Sequence, residues 1–174
     1  EKKVKINEIQ NTQKENIINS NNSLLKEDEE APNLIKDLKY VSKDILGNEY
    51  IISSEYSTLN LEKTNIINME EVNATITMLD KEPIFVKSKF AIYDNETYET
   101  IFFDNVVINY LDNIVNSEKF EISVKDNFAQ VSEKVIYQNP NIRLEADVIE
   151  IDLITKNSKI FMIDDKKKIK ITNN

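Results

Sequence analysis

The 174-residue chain contains no histidine, cysteine or tryptophan, and it has a single glycine, Gly47. Without histidine or cysteine the chain cannot build a Ser-His-Asp triad, a cysteine nucleophile or an ordinary zinc site. One glycine is too few for the glycine-rich loops that cradle phosphates, and the pattern of a calcium-binding loop is absent. We therefore predict a protein that is not an enzyme and that carries no metal or cofactor.

The charge of the chain is predominantly negative. Thirty-one acidic residues outnumber 22 basic ones, giving a net charge of −9 and a pI near 4.7. This balance argues against nucleic acid as a partner and against simple adsorption to an anionic membrane surface. A short basic run at residues 166–168 directly follows Asp164 and Asp165, and we interpret it as a solvated strand end.

Residues 1–32 differ in composition from the rest of the chain. They are polar and highly charged, and their few apolar residues do not recur at helical spacing. The pattern indicates a disordered tether, and the Ala31-Pro32 pair would break any weak helix within it. No apolar run in the chain approaches the roughly 20 residues of a membrane-spanning helix.

Residues 33–174 have the pattern of an all-β domain. Short runs rich in Ile, Val, Tyr, Phe and Thr recur about every 8 to 12 residues, separated by Asn- and Asp-containing turns. Val72, Ala74 and Ile76, for example, alternate with polar residues. The length of the segment suits one domain.

A loose internal repeat runs through this domain. The segment Ser54–Val72 overlays Ser88–Val106, and a third copy starts at Ala146 if one residue is inserted. A period near 34 residues, followed by a longer one, indicates stacked β units that bury one another's faces. A composition biased toward Lys, Asn and Ile could also produce such similarity by chance.

The alternation predicts a sheet with one apolar face and one largely polar face. The apolar face lines either a packed core or a groove, and the alternation fits both. The candidate lining residues are Phe90, Ile92, Val106, Ile108, Tyr110, Ile122, Val124, Val135, Tyr137, Ile142, Leu144, Ile149 and Ile151.

Two segments resemble a known β repeat. Residues 87–110 (KSKFAIYDNETYETIFFDNVVINY) and residues 144–162 (LEADVIEIDLITKNSKIFM) are similar to the OstA-type repeat of lipopolysaccharide-transport proteins. Together with the polar N-terminal segment and the opening NLIKDLKY at residues 33–40, the arrangement from about residue 33 to 172 resembles the LptC family.

The resemblance implies a twisted, V-shaped antiparallel β-jellyroll that is open along one side. It implies a protein on the periplasmic side of the inner membrane of a Gram-negative bacterium, held by a single-pass anchor N-terminal to Glu1. Such a protein receives lipopolysaccharide from an ABC transporter and passes it to the next periplasmic jellyroll, which is LptA-like. No cofactor is implied, because the transporter spends the ATP.

An open sheet has two edge strands, and the sequence offers a candidate segment for each. The N-terminal edge would include Leu34, Leu38 and Tyr40, and the C-terminal edge Lys168, Ile169, Lys170 and Ile171, within a strand at residues 168–172. Lysines on an edge can simply prevent unwanted pairing. The edge can also dock a partner strand. The resemblance assigns the C-terminal edge to the LptA-like protein and the N-terminal edge to the transporter.

Three functions are compatible with the sequence. The first is lipopolysaccharide transfer, in which the lipid-groove candidates shield acyl chains. The second is a closed β-sandwich that acts as an adhesion or interaction module without a lipid ligand. The third, a glycosidase that uses only carboxylates, would need two converging acids, and no pair stands out among the 31 acidic residues.

Overall fold

The computed structural model describes residues 33–43, 47–123, 125–155 and 157–173, so the predicted tether at residues 1–32 lies outside the described part. The described residues form ten β-strands and no helix. The strands are β1 (Leu34–Lys43), β2 (Glu49–Leu59), β3 (Ile66–Thr77), β4 (Ile84–Asp94), β5 (Glu99–Tyr110), β6 (Asn113–Ser123), β7 (Phe128–Gln138), β8 (Ile142–Asp152), β9 (Ser158–Phe161) and β10 (Lys170–Asn173).

All ten strands belong to one antiparallel sheet, which confirms the predicted fold class. Strands β1 to β8 follow one another in sequence order, each paired with the next. The far side of β8 is shared, because Val148–Ile151 pair with β9 and Ile142–Glu145 pair with β10. The sheet therefore stays open, with β1 at one edge and β9 and β10 at the other.

A line of unusual backbone crosses the sheet from edge to edge. The odd-numbered strands β1, β3, β5 and β7 each contain left-handed residues, with φ between 51° and 65°. These residues are Asp37, Glu71, the pair Asp104-Asn105 and the pair Glu133-Lys134. In β5 and β7 the pairing register also shifts by one residue at this line, as at a β-bulge. We call this line the crease.

The crease divides the sheet into two walls. Among the described residues, the first wall contains 34–36, 56–70, 90–103, 119–132 and 148–161, and the second contains 38–54, 72–88, 106–117, 135–146 and 170–173. The buried positions change phase where a strand crosses from one wall to the other. In β4, for example, Val86 and Ser88 are buried before the crease, and Ala91 and Tyr93 are buried after it.

The two walls face each other. The pairing register connects Tyr40 in β1, through Ile52 and Ala74, to Val86 in β4. Tyr93 lies seven residues further along β4, about 23 Å away at the usual rise of a strand. The rings of Tyr40 and Tyr93 nevertheless lie 5.0 Å apart between centroids. Such a contact requires the sheet to fold over along the crease.

One apolar core fills the space between the walls. Its buried members are Ile52, Met69, Val72, Ala74, Val86, Ala91, Tyr93, Phe102, Val106, Phe120, Ile122, Ala129, Val131, Val135 and Ile149. Valines dominate its most deeply buried side chains, where β-branched residues suit the pleated surface. The core receives side chains from β2 to β8, so both walls contribute to it.

The internal repeat corresponds to a real structural unit, and the structure adds a copy that the sequence comparison missed. Units begin at residues 54, 88, 117 and 146, which places them 34, 29 and 29 residues apart. The added unit, Ser117–Val135, has the same length as Ser54–Val72 and Ser88–Val106. It lies midway between the units that start at residues 88 and 146, and so divides the longer period of the sequence repeat into two. Six residues after each start stands a turn residue whose side-chain oxygen accepts backbone N–H groups: Asn60, Asp94, Ser123 and Asp152.

Candidate functional site

Both walls contribute to a small cavity inside the folded sheet. The second wall supplies Tyr40, Ile52 and Ile76, and the first wall supplies Tyr93 and Phe102. The cavity has a volume of ≈ 50 Å³. The buried side chains of the core surround this cavity, so in this state the interior is a packed core and not an open groove.

Most of the predicted lining residues meet in this interior. Val106, Ile108, Ile122, Val135, Tyr137, Ile149 and Ile151 belong to the core or pack against it. Leu144 is buried outside that cluster, and Tyr110 and Ile142 are half-buried. Val124 lies outside the described residues.

Phe90 and Ile92 lie on the other face of β4. The positions that alternate with them, Ala91 and Tyr93, are the buried ones. Phe90 pairs with Phe103, their rings stack at 5.6 Å, and the Lys89 ammonium lies 5.0 Å from the Phe90 ring centre. The sequence predicted both residues on the inner face, because it could not show that the buried positions of β4 change phase at the crease.

The interior also contains aromatic residues that were not among the predicted lining residues. Phe102 and Phe120 pair across β5 and β6, and their buried rings stack at 5.6 Å. Phe102 stands in the run Ile101–Phe103, where three apolar residues in succession conceal which face is buried. Tyr40 was predicted only as an edge residue, yet it packs on the core.

The hydroxyl groups of two interior tyrosines differ in their surroundings. The Tyr137 hydroxyl donates to Asn113 Oδ1 at 2.6 Å and accepts from Asn139 Nδ2 at 2.8 Å. The Tyr93 hydroxyl is buried and has no hydrogen-bond partner among the described residues. Burial, and then the neighbouring Tyr40 side chain, raise the pKa of Tyr93 far above its usual value. Tyr93 therefore stays a neutral donor at physiological pH.

Charged side chains lie on the outside of the folded sheet. Within the described residues no Asp, Glu, Lys or Arg is buried, and the buried polar side chains other than Tyr93 are serines and one threonine. Several charges line the outer surface of the crease, where Lys134 Nζ lies 3.0 Å from Glu118 Oε1 and Lys89 Nζ lies 3.9 Å from Asp104 Oδ2. The hydrogen bond from Lys134 lowers the pKa of the exposed Glu118 carboxyl.

The two predicted edge segments lie at the two edges of the sheet. Leu34, Leu38 and Tyr40 are in β1, where Leu38 and Tyr40 pack on the core and Leu34 is half-buried. Lys170 and Ile171 are in β10, whereas Lys168 and Ile169 precede it, so the strand starts two residues later than predicted. All four residues of β10 are exposed. Beside it lies a groove of ≈ 500 Å³, lined in part by Lys134, Lys167, Lys168 and Lys170.

Comparison with known proteins identifies the family. A family described as "Lipopolysaccharide-assembly, LptC-related" matches residues 6–161. The chain belongs to the LptC family. This membership confirms the resemblance of the sequence, and it confirms that the protein is a non-enzymatic component of the lipopolysaccharide-transport bridge. Among proteins of curated function, none matches the chain in sequence.

The fold of this LptC-family protein is shared with a solved periplasmic protein. The crystal structure of LptH from Pseudomonas aeruginosa, described as the LptA-homologous periplasmic component of the lipopolysaccharide transport device, superposes with a TM-score of 0.52. The match covers 71% of this chain and 93% of LptH, at 7% sequence identity. The similarity therefore supports the jellyroll fold. Within the described residues, no helix is long and apolar enough to span a bilayer.

Proposed function

We propose that this LptC-family domain receives lipopolysaccharide from the inner-membrane ABC transporter and passes it through its apolar interior to an LptA-like jellyroll. The observation that carries the proposal is the continuous apolar interior between two walls of one open sheet. Burying acyl chains there would stabilise the complex by about 0.8 kcal/mol per methylene group. The charged outer surface leaves the anionic sugar-phosphate part of the lipid to project into solvent.

Binding requires the walls to separate. The existing cavity of ≈ 50 Å³ has room for one or two water molecules and none for an acyl chain. The sheet is open, and β1 is not paired with β9 or β10. Separation about the crease therefore breaks side-chain contacts between the walls and leaves the strand pairing intact. Ile108, Tyr137 and Ile151, which are only partly buried, are the lining residues from which opening can begin.

A second candidate function is an interaction module without a lipid ligand, in which the two walls of the open sheet stay packed on each other. The filled interior favours it, because a module of this kind needs no internal space. Lipid transfer requires acyl chains to contact the interior side chains, whereas an interaction module does not.

Photo-crosslinking distinguishes the two candidates. A photoreactive amino acid would replace Ile108 or Ile149, which lie in the interior, or Ile92, which lies on the outer face and is the matched control. In cells exporting lipopolysaccharide, we expect adducts from the two interior positions and none from Ile92. Failure at both interior positions, in protein that still supports export, would exclude the transfer function.

The inner-membrane anchor is also part of the proposal. The residues encoded immediately before Glu1 test it, because a single-pass anchor needs an apolar run of about 20 residues. A cleavable signal sequence there would instead favour a soluble periplasmic protein.

A further inference from the structure

The Tyr93 hydroxyl is an unusual group in this interior. The residue is 4% exposed, and its hydroxyl has no hydrogen-bond partner among the described residues. Leaving a buried donor unpaired is costly, and each such group in a native structure calls for an explanation. The side chain borders the interior cavity between the two walls. The donor is therefore placed where an incoming group could accept its hydrogen bond.

The surroundings of Tyr93 have the composition of a ligand pocket. Four of the chain's seven tyrosines line this cavity, together with Ser42 and Thr100. The remaining lining side chains are apolar, among them Ile52, Ile76 and Ile122. An apolar pocket with a few convergent polar groups is typical of small-molecule and lipid sites.

The chemistry of the lining limits what could bind. None of the residues around the cavity is Lys, Arg, Asp or Glu, so a phosphate there would be a buried charge without a counter-charge. A sugar ring would bring several hydroxyl groups into a space with few partners. An alkyl chain with one neutral oxygen satisfies both the apolar lining and the unpaired Tyr93 hydroxyl.

We infer that Tyr93 binds the lipid by donating a hydrogen bond to the carbonyl oxygen that links an acyl chain to its head group. The inference rests on the proposed transfer function and specifies which part of the ligand is recognised. The chain itself packs against the isoleucines and Phe102, and the carbonyl faces the tyrosines. The contact forms when the walls separate to admit the chain.

A buried water molecule bound to Tyr93 is the alternative explanation of the cavity, and substitution separates the two. Removing a hydroxyl that has no partner in the empty protein should leave the melting temperature unchanged or raise it. Removing one that holds an ordered water should lower the melting temperature. The two explanations also predict different effects on lipid affinity.

The experiment uses the purified full chain, lipid A as the probe, and the substitution Tyr93→Phe. We expect the affinity for lipid A to fall by about 3- to 10-fold, with no decrease in Tm. Tyr56→Phe is the matched control, because Tyr56 is 43% exposed and does not line the cavity, and it should change neither quantity. With lipid A labelled with ¹³C at its acyl carbonyls, the infrared carbonyl band should shift on binding to the wild type and not to Tyr93→Phe.

The outcomes separate this inference from the proposed function. If the wild type and Tyr93→Phe bind lipid A equally and show the same carbonyl band, the role of Tyr93 is refuted and lipid transfer stands. A lower Tm with unchanged affinity identifies the cavity as a water site and also refutes it. If the wild type does not bind lipid A at all, the proposed function itself fails.

Discussion

At the scale of single residues, the shape of this protein depends on acidic side chains in left-handed backbone. Glu71 in β3 has φ of 54°, and Asp104 and Asn105 in β5 have φ of 63° and 56°. Asn and Asp tolerate this region better than most residues do, and glycine tolerates it best. The only glycine, Gly47, lies outside the crease. The crease therefore forms at residues that are strained to some degree.

Replacing Glu71 with glycine should relieve that strain. A left-handed conformation costs an L-residue about 1 to 2 kcal/mol, which offsets the entropic cost of a glycine at this position. Glu70 is the matched control, because it is also exposed and pairs regularly with Tyr56 and Phe90. We expect urea unfolding to show that Glu71→Gly is more stable than Glu70→Gly by about 1 kcal/mol. Equal losses in the two variants would mean that the crease at β3 is not strained.

At the scale of elements, side chains in the turns replace the glycines that hairpins commonly use. Asp94 ends β4, and its Oδ1 accepts the backbone N–H of Glu96 at 2.8 Å and of Thr97 at 3.1 Å, while its Oδ2 accepts Asn65 Nδ2 at 3.0 Å. Partial desolvation raises the pKa of Asp94, but these hydrogen bonds outweigh it and hold the pKa below its ordinary value. The turn thus favours the charged carboxylate.

Substitutions at Asp94 should reveal this turn in both stability and pH dependence. Asp94→Ala removes the acceptor, and we expect a loss of about 1 kcal/mol in the free energy of unfolding at pH 7. Asp94→Asn keeps one acceptor oxygen but cannot titrate. Because the folded-state pKa is lowered, the contribution of the charge is complete above the unfolded value of about 3.9 and is lost as the pH falls through the folded-state pKa.

The stability difference between the wild type and Asp94→Asn should therefore shrink when urea unfolding is repeated near pH 3. A difference that is constant between pH 7 and pH 3 would show that the carboxylate charge has no part in the turn.

At the scale of the whole molecule, the two edges differ in how strongly they are tied to the core. Strand β1 pairs along its length with β2 and contributes Leu38 and Tyr40 to the interior. Strand β10 pairs only Lys170–Asn173 with β8, and all four of its residues are exposed. The free side of β10 can therefore pair with a partner strand without disturbing the core, as in β-strand addition.

Deletion of residues 168–174 tests the C-terminal edge. We expect only a small change in Tm, loss of capture of the LptA-like protein in a pull-down, and retained capture of the transporter through β1. The transporter contact serves as the internal control for folding. Loss of both partners, or of neither, would contradict the assignment of one partner to each edge.

Patterns in the sequence predicted an all-β domain with Asn and Asp turns and a resemblance to the LptC family, and both are confirmed. They did not give the strand bounds, because strands such as β4 continue through the crease. Alternation and turn residues are patterns of neighbouring positions, so they can be recognised without knowing the fold. Which face of each half-strand is buried follows from the folding of the sheet along the crease. The crease arises at ordinary acidic residues such as Glu71, which carry no mark of left-handed backbone, and it changes the phase of the alternation. For this reason Phe90 and Ile92 were predicted to be inside, and the contact of Tyr40 with Tyr93 could not be foreseen. The chain has no His, no Cys and a single Gly, and among its described residues the fold places the Tyr93 hydroxyl as an unpaired donor inside an apolar interior.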